Sequence, residues 1–476
     1  MRRLLVAIVL LAVWPAVPAS AFQPGDPLVP RQWYLTADRP FELWPVVPPL
    51  APVRVAIVDS GIDASHPEFA GRIAAAKSFV GRSVKDADGH GTFVAGEIGA
   101  ALGNDQGIAG IAFPAELLVA KVLKRDGTID PRDEAAAIRW ALSQGARVIN
   151  LSFGGVRDPS NRHLDAFSPV ERAAVAEATR RGAVVVAAVG NADQSPRSPW
   201  PYASYPAALP HVLGVGAYAR DGSIPPFSNR DEVFNDLVAP GTEMFSTLPR
   251  PLTARYPSCV EQGYSDCGSP EYRNAGGTSF AAPQVAAAAA LLLAVRPDLQ
   301  PSQVATILER SAVDAVPADG CPRCPIGRDA LSGWGKLDIT AALEALSGPL
   351  PAPDHAEPND DAGSHAATLT GRAVELAPTL DFWDDPLDVY RVRLRKGQWL
   401  YARVAGPDGA RTSLALWRPG TASVVGPKTR RLAFSRRAGT AQRLLFQARR
   451  DGWHFVEVRL DAPGAGAYDL HVEQAP

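Results

Sequence analysis

The chain has 476 residues, a formal net charge of -2, 46% apolar residues and 21% charged residues. This length allows two or three domains, and the apolar fraction lets each bury a core, which excludes a disordered polymer. The charge balance argues against a dedicated nucleic-acid-binding protein, because such proteins neutralise phosphates with an excess of Lys and Arg. We therefore expect a globular protein with no nucleic-acid partner.

Residues 1–21 have the order of a secretory signal peptide. Arg2 and Arg3 precede an apolar run at 4–14, and Ala19-Ser20-Ala21 ends the segment. The apolar run is too short to span a bilayer, which needs about 20 residues. We predict cleavage before Phe22 and a secreted or extracytoplasmic product with no integral membrane segment; an uncleaved anchor is the alternative.

Export would place the four cysteines in an oxidising compartment, where disulfides persist. Four cysteines allow three pairings. We favour Cys259 with Cys267 and Cys321 with Cys324, because each pair closes a short loop. The alternative is a zinc site that uses all four thiolates.

From residue 53 to residue 347, apolar strands alternate with helical stretches. The predicted strands are continuous apolar runs, typical of parallel strands covered on both faces: Val53–Val58, Leu118–Val122, Val148–Leu151, Val184–Val189 and Val212–Gly216. Helices are predicted at Asp133–Gln144 and Pro169–Arg181, and Ala281–Val295 is apolar all round, which predicts a buried helix. This alternation predicts an α/β fold with a doubly wound, mainly parallel sheet.

The composition changes after residue 347. We predict a short N-terminal segment at 22–52, the α/β domain at 53–347, a Pro-rich linker at 348–356 and a second domain at 357–476. The second domain has short segments of alternating apolar and polar residues, which predict a small all-β sandwich: Asp388–Leu394, Trp399–Val404, Ser413–Trp417 and His454–Leu460.

Three short stretches of the α/β domain carry the residues of a nucleophilic hydrolase. Asp59 follows an apolar strand, His90 stands between glycines before a small-residue helix, and Ser279 begins the buried helix. A serine hydroxyl needs a base beside it, and that base needs a third group to orient it. An α/β-hydrolase esterase is excluded, because it requires Gly-x-Ser-x-Gly and the chain order Ser, acid, His.

The order Asp, His, Ser in these contexts, together with Asn191 after the apolar run Val184–Val189, is similar to that of subtilisin-family serine endopeptidases, the subtilases. The resemblance covers residues 32–346. It implies that Asp59 orients His90, that His90 is the general base and then the general acid, and that Ser279 attacks the peptide carbonyl. It also implies that Asn191 and the Ser279 backbone N–H form the oxyanion hole, with no cofactor needed for the chemistry.

The same resemblance implies residues that bind the polypeptide substrate. The segment Ser152, Phe153 and Gly154 matches the strand that pairs with the substrate backbone. Walls and floor of the S1 pocket are matched by the following residues: Ala188, Val189, Gly190 and Ser204.

A structural Ca²⁺ is also expected from the resemblance, in the loop that follows the histidine helix. Calcium takes hard oxygen ligands. Side-chain oxygens would come from Glu68 and Asn104, and backbone carbonyls from Leu102, Gln106 and Ile108. A metal-free polar loop is the alternative.

Residues 357–476 resemble the bacterial pre-peptidase C-terminal domain through short motifs such as Glu357-Pro-Asn-Asp360 and Gly466-Ala-Tyr-Asp-Leu470. This resemblance implies no catalytic role, but either removal during maturation or contact with a cell surface. We expect a monomer. The alternative function is a surface-binding module whose peptidase domain serves mainly as a scaffold.

Two departures from the subtilase pattern carry expectations of their own. Phe280 follows the serine where many members have Met, so activity should resist oxidation of a thioether. About 30 residues separate the predicted cleavage site from Val53, fewer than the ~40 that an independent domain needs. We therefore expect the catalytic domain to fold without an N-terminal prosegment.

Overall fold

A computed structural model describes residues 21–253, 271–363, 365–383, 385–424 and 428–476. Residues 1–20 of the predicted signal peptide and the predicted Cys259–Cys267 pair lie outside the described residues. The Cys321–Cys324 disulfide is confirmed, and both cysteines are buried.

The first domain is built on a seven-stranded parallel sheet. Its strands are β1 (Val53–Asp59), β2 (Ile73–Ser78), β3 (Ala115–Lys121), β4 (Val148–Leu151), β5 (Val184–Ala188), β6 (Val212–Tyr218) and β7 (Leu237–Pro240). They lie in the order β2-β3-β1-β4-β5-β6-β7. The predicted doubly wound α/β class is confirmed. The edge strands β2 and β7 were not predicted, because β2 is half-exposed and rich in alanine and β7 has only four residues.

Helices cover both faces of this sheet. They are α1 (Trp33–Asp38), α2 (His90–Gly99), α3 (Pro131–Ser143), α4 (Pro169–Arg180), α5 (Arg250–Thr253), α6 (Ala282–Val295), α7 (Pro301–Ser311) and α8 (Ile339–Ala345). One face packs against α2, α6, α7 and α8, and the other packs against α3 and α4. An antiparallel pair of strands, β8 (Met244–Thr247) and β9 (Tyr272–Ala275), adjoins α2.

Helix α6 is the central helix of the larger core. All of its residues except the last are buried. The run Ala286–Ala290 is fully buried, and its small side chains let the helix lie close against the sheet. Among the described residues, Thr278–Val295 is the one helical stretch long and apolar enough to cross a membrane, and it is mostly buried inside the fold.

The second domain consists mainly of two packed antiparallel sheets, which confirms the all-β expectation. Its strands are β10 (Ala367–Thr368), β11 (Ala373–Leu376), β12 (Thr379–Asp381), β13 (Leu387–Leu394), β14 (Trp399–Ala405), β15 (Thr412–Trp417), β16 (Arg431–Ser435), β17 (Ala441–Gln447), β18 (Gly452–Leu460), β19 (Ala465–Ala467) and β20 (Asp469–Ala475). A five-stranded sheet in the order β10-β13-β18-β15-β16 faces a four-stranded sheet in the order β11-β20-β14-β17. Apolar side chains from both sheets form one core. The short β10 is the exception in direction, since it pairs with β13 in parallel.

A buried histidine joins the two domains. His211 Nε2 lies 2.9 Å from Glu357 Oε2 and 3.0 Å from Asp360 Oδ1, and its side chain is 5% exposed. Burial alone lowers the pKa of His211, but the Asp360 and Glu357 carboxylates raise it more, so the pKa lies well above the usual 6.5. Trp334 and Trp383 add an edge-to-face contact with ring centroids 5.0 Å apart. The charged His211 therefore neutralises carboxylates that the interface buries.

We expect His211→Gln to destabilise the protein by about 3 kcal/mol near pH 6, because it leaves buried carboxylates without a cation. The raised pKa of His211 means that its contribution is complete below about pH 6.5, the unfolded value, and is lost as the pH rises through the folded value. The difference in unfolding free energy between wild type and His211→Gln should thus shrink from pH 6 to pH 9 in urea titrations. His163→Gln, at an exposed position, is the control. A pH-independent difference would contradict this assignment.

Candidate active site

The carboxylate of Asp59 stands at the carboxyl end of the sheet. Asp59 is the last residue of β1 and is 3% exposed. Its Oδ1 accepts a hydrogen bond of 2.6 Å from the Ser60 backbone N–H. A Cβ on Gly91 would lie 2.4 Å from the Gly61 carbonyl oxygen and 3.1 Å from that same Asp59 oxygen, so only glycine lets the start of α2 approach so closely. Ligands of open α/β sheets bind at this edge.

His90 is the first residue of α2 and faces Asp59. Its Nδ1 lies 2.9 Å from Oδ1 and 3.0 Å from Oδ2 of that carboxylate. Burial lowers the pKa of His90, but the charge and hydrogen bond of Asp59 raise it more, and the net pKa lies above the usual 6.5. Because Nδ1 is held by the carboxylate, Nε2 is the ring nitrogen left for proton transfer.

Asp86, which the sequence analysis missed, holds these two elements together. Its buried carboxylate accepts hydrogen bonds from the Ser60 hydroxyl at 2.8 Å, the Gly89 N–H at 2.8 Å and the Thr92 N–H at 2.9 Å. The loop after β1 and the first turn of α2 are therefore fixed through one side chain. The only feature of the sequence that could have indicated a role for Asp86 is its position two residues before the Asp88-Gly-His90 stretch.

Ser279 lies in a 3-10 turn, Thr278–Phe280, directly before α6. It lines the same cleft, about 660 Å³ in volume, as Asp59 and His90. The turn follows Gly277, whose φ of 146° is accessible mainly to glycine. The structure thus brings the three predicted residues to one cleft. In the chain, His90 follows Asp59 by 31 residues (90 − 59) and Ser279 follows His90 by 189 residues (279 − 90).

Asn191 is oriented toward the same turn. Its Oδ1 accepts hydrogen bonds from the Thr278 N–H at 3.0 Å and from the Thr278 hydroxyl at 3.2 Å. The carboxamide is therefore held next to Ser279, and with its oxygen engaged, the amide nitrogen is the group left to donate. The role of Asn191 as an oxyanion donor stays a prediction.

The predicted substrate residues divide into two groups. Ser152, Phe153 and Gly154 line the cleft beside the triad. By contrast, the side chains of Ala188 and Val189 are buried in the two cores on opposite faces of the sheet, so only their backbone can face a substrate.

Gly190 and Ser204 lie against each other. The Ser204 N–H donates to the Val189 carbonyl at 2.8 Å, and a Cβ on Gly190 would lie 2.3 Å from the Ser204 hydroxyl. Gly190 also has a φ of 95°, so this close approach requires glycine. Asn229, another residue that sequence reasoning missed, donates to the Val189 carbonyl at 3.2 Å and supports the same wall.

The expected calcium loop surrounds a buried carboxylate. Glu68 accepts hydrogen bonds from the Ile108 N–H at 2.8 Å, the Tyr272 hydroxyl at 2.8 Å and the Asn104 amide at 3.2 Å. Burial raises the pKa of Glu68 to about 7 against the effect of these donors. A second carboxylate, Asp26, accepts from the Asn104 N–H at 2.9 Å and adds negative charge. The carboxylate oxygens of Glu68 and Asp26 and the side-chain oxygen of Asn104 are of the kind that a hard cation takes as ligands.

Comparisons with known proteins agree with this geometry. The model of the subtilase family matches residues 51–335. The chain belongs to the subtilase family. It is 36% identical over 296 residues to subtilisin DY of Bacillus licheniformis, covering 62% of this chain and 92% of that protein. It is 37% identical over 292 residues to subtilisin BL of Lederbergia lenta, covering 61% of this chain and 90% of that protein.

A solved structure gives the same fold. The crystal structure of a lanthipeptide protease matches with a TM-score of 0.50 and 26% identity, covering 62% of this chain and 87% of that one. Subtilases are serine endopeptidases with a catalytic triad and need no cofactor for catalysis.

We expect this subtilase to keep most of its activity after one hour in millimolar peroxide. Phe280, next to Ser279, contacts His90 with ring centroids 5.2 Å apart and offers no thioether to oxidise. Met244 is fully buried in β8, and Met1 belongs to the predicted signal peptide. The measurement is residual peptidase activity after peroxide removal, with Phe280→Met as the sensitive comparison. Equal, rapid loss in both proteins would contradict the explanation.

Proposed function

We propose that the protein is an exported serine endopeptidase in which Ser279, His90 and Asp59 form the triad. The observation that carries this assignment is the contact of His90 Nδ1 with both Asp59 oxygens, at 2.9 and 3.0 Å, in the cleft that Ser279 lines. The signal-peptide order of residues 1–21 supports export. The predicted boundaries, with the peptidase domain at 53–347 and the sandwich at 357–476, are part of the same proposal.

The reaction proceeds through an acyl-enzyme. His90 Nε2 takes the proton of the Ser279 hydroxyl as its oxygen attacks the peptide carbonyl carbon. The carbonyl oxygen, now negatively charged, is stabilised by the Asn191 side-chain amide and the Ser279 N–H, and losing one such donor costs about 3–4 kcal/mol. His90 then gives the proton to the leaving amine. Water, deprotonated by the same imidazole, hydrolyses the ester and restores Ser279.

The extended segment Ser152–Gly154 supports pairing with the substrate backbone, as in β-strand addition. Gly190 and Ser204, with the backbone of Ala188 and Val189, form the wall of the S1 pocket. The polypeptide therefore lies across the carboxyl end of the sheet, with the scissile bond beside Ser279.

A serine-directed phosphonate with mass-spectrometric mapping tests this function. We expect one adduct on Ser279, no adduct in Ser279→Ala and slowed labelling in His90→Ala, in parallel with peptide hydrolysis. His66→Ala, at a histidine outside the cleft, should affect labelling only through stability. A folded protein that is neither labelled nor active would favour the alternative, a surface-binding module with a peptidase scaffold.

The pH dependence should report the pKa of His90. Only the neutral imidazole accepts the serine proton, so kcat/KM falls as the pH drops through a pKa that Asp59 raises above 6.5. Asp59→Asn should lower kcat by about 10⁴-fold and move the acid limb of kcat/KM to lower pH. Asp88→Asn, a weaker and exposed contributor, should move the limb less and leave kcat nearly intact. An unmoved limb in Asp59→Asn would exclude His90 as the titrating base.

We also propose a structural Ca²⁺ held by Glu68, the Asn104 side chain and the carbonyls of Leu102, Gln106 and Ile108. The second carboxylate, Asp26, supports the site, and a cation would stabilise the charged form of Glu68. EDTA should lower the Tm, and Ca²⁺ but not Mg²⁺ should restore it, because Mg²⁺ demands a small octahedral site. Glu68→Gln should abolish the response while Glu116→Gln, at a half-exposed position, keeps it. No EDTA shift in wild type would remove the proposal.

For the C-terminal domain we propose contact with an anionic cell surface. The supports are the exposed apolar side chains of Leu432, Phe434 and Leu445 on strands that also carry Arg431 and Arg443. Binding to anionic but not neutral vesicles in a sedimentation assay would be consistent with this contact. The protein acts as a monomer in this proposal.

A further inference from the structure

A pair of buried glutamates forms part of the cleft wall and has no role in the triad chemistry. Glu134 lies in the first turn of α3 and Glu171 in the first turn of α4, and both line the cleft that contains Ser279. They are 2% and 5% exposed. Two carboxyl groups buried together in a substrate cleft cost free energy unless a ligand or a shared proton compensates them.

The two groups share a proton and still leave one oxygen unsatisfied. Burial and the neighbouring Glu171 raise the pKa of Glu134 far above its usual range, and burial raises the pKa of Glu171 to about 7. Glu134 therefore donates a hydrogen bond to Glu171. Its other oxygen, Oε1, is buried and has no hydrogen-bond donor among the described residues. Glu134 Oε1 can therefore accept a hydrogen bond from a ligand.

No Lys or Arg among the described residues lines this cleft, whose titratable residues include Asp59, Asp88, His90, Glu134 and Glu171. Two nearby cations are paired with other carboxylates. Arg172, next to Glu171 in the chain, lies 3.6 Å from Asp361 of the second domain. Lys124 lies 3.4 Å from Asp130 and 3.9 Å from Asp133. The cleft wall thus offers two carboxyl groups that no Lys or Arg lining the described cleft pairs with, and a cationic side chain of a substrate can bind them as they lose their shared proton.

We propose that Glu134 and Glu171 form an acidic subsite that binds an arginine side chain of the substrate, upstream of the P1 residue. This inference rests on the proposed function, because it places the substrate along Ser152–Gly154. The pair lies on α3 and α4, away from the Gly190–Ser204 wall, and therefore serves a side chain other than P1. A guanidinium has the planar fork of donors that two carboxylates can accept together, which favours Arg over Lys. Its entry displaces the shared proton to solvent and gives Glu134 Oε1 a donor.

The experiment compares peptide substrates that differ at one position among P2, P3 and P4, which carries Arg, citrulline or norleucine. Citrulline has the length and shape of arginine without its charge. We expect kcat/KM for Arg to exceed that for citrulline by at least about tenfold at one position. In Glu134→Gln combined with Glu171→Gln, the ratio of kcat/KM for the Arg substrate to kcat/KM for the citrulline substrate should fall to about one, and the ratio of Arg to norleucine should fall with it.

Asp133→Asn is the matched control, because it removes one charge from the same helix turn outside the cleft, and it should keep the Arg preference. Cleavage of the set with equal rates for Arg and citrulline at every position would overturn the subsite and leave the peptidase function intact. The same holds if the preference survives in the double variant. Should that variant fail to fold, the wild-type Arg-to-citrulline ratio decides alone. Absence of cleavage and of phosphonate labelling would instead refute the proposed function.

Discussion

The position of Ser279 depends on the burial of helix α6. A helix buried on every side cannot rotate or slide without opening the core, so its first turn is held as firmly as the core itself. The 3-10 turn that carries Ser279 continues directly into α6, and Asn191 fastens the backbone of that turn. Asp59 and Asn191 come from the ends of parallel strands and meet this turn at the same edge of the sheet. Hydrophobic packing thus supplies the precision that proton transfer needs.

Four buried carboxylates at and beside the cleft are stabilised in three different ways. Asp59 faces an imidazole that can become charged, and Asp86 is surrounded by backbone and hydroxyl donors. Glu134 and Glu171 have no Lys or Arg partner among the described residues, Glu134 Oε1 has no donor there, and the pair retains a proton. The first two arrangements are complete within the fold. The third is incomplete, which is why it points to a ligand.

The sequence was sufficient for the features that local patterns encode. Continuous apolar runs located β1, β4 and β5 to within a residue or two, and the glycine-flanked contexts of Asp59, His90 and Ser279 located the candidate triad. Features created by distant contacts were not accessible in this way. Glu134 and Glu171 resemble ordinary acidic residues that favour helix N-termini, and only the packing of α3 against α4 makes them neighbours. Asp26 reaches the loop at Asn104 across 78 residues, with no pattern that announces the contact.

The alanine content of α6 has a consequence before the protein is folded. If the chain is exported unfolded, as its first residues suggest, the segment Thr278–Val295 passes through the translocation channel at a length sufficient to stop there. Leucine and valine favour transfer into lipid by about 0.3–0.6 kcal/mol per residue at the segment centre. Replacing several of Ala286–Ala290 with such residues would therefore favour retention in the bilayer, whatever the core could accommodate. Larger apolar side chains at these positions are thus disfavoured for two reasons. They would favour retention in the membrane during export, and they would keep α6 from lying close against the sheet.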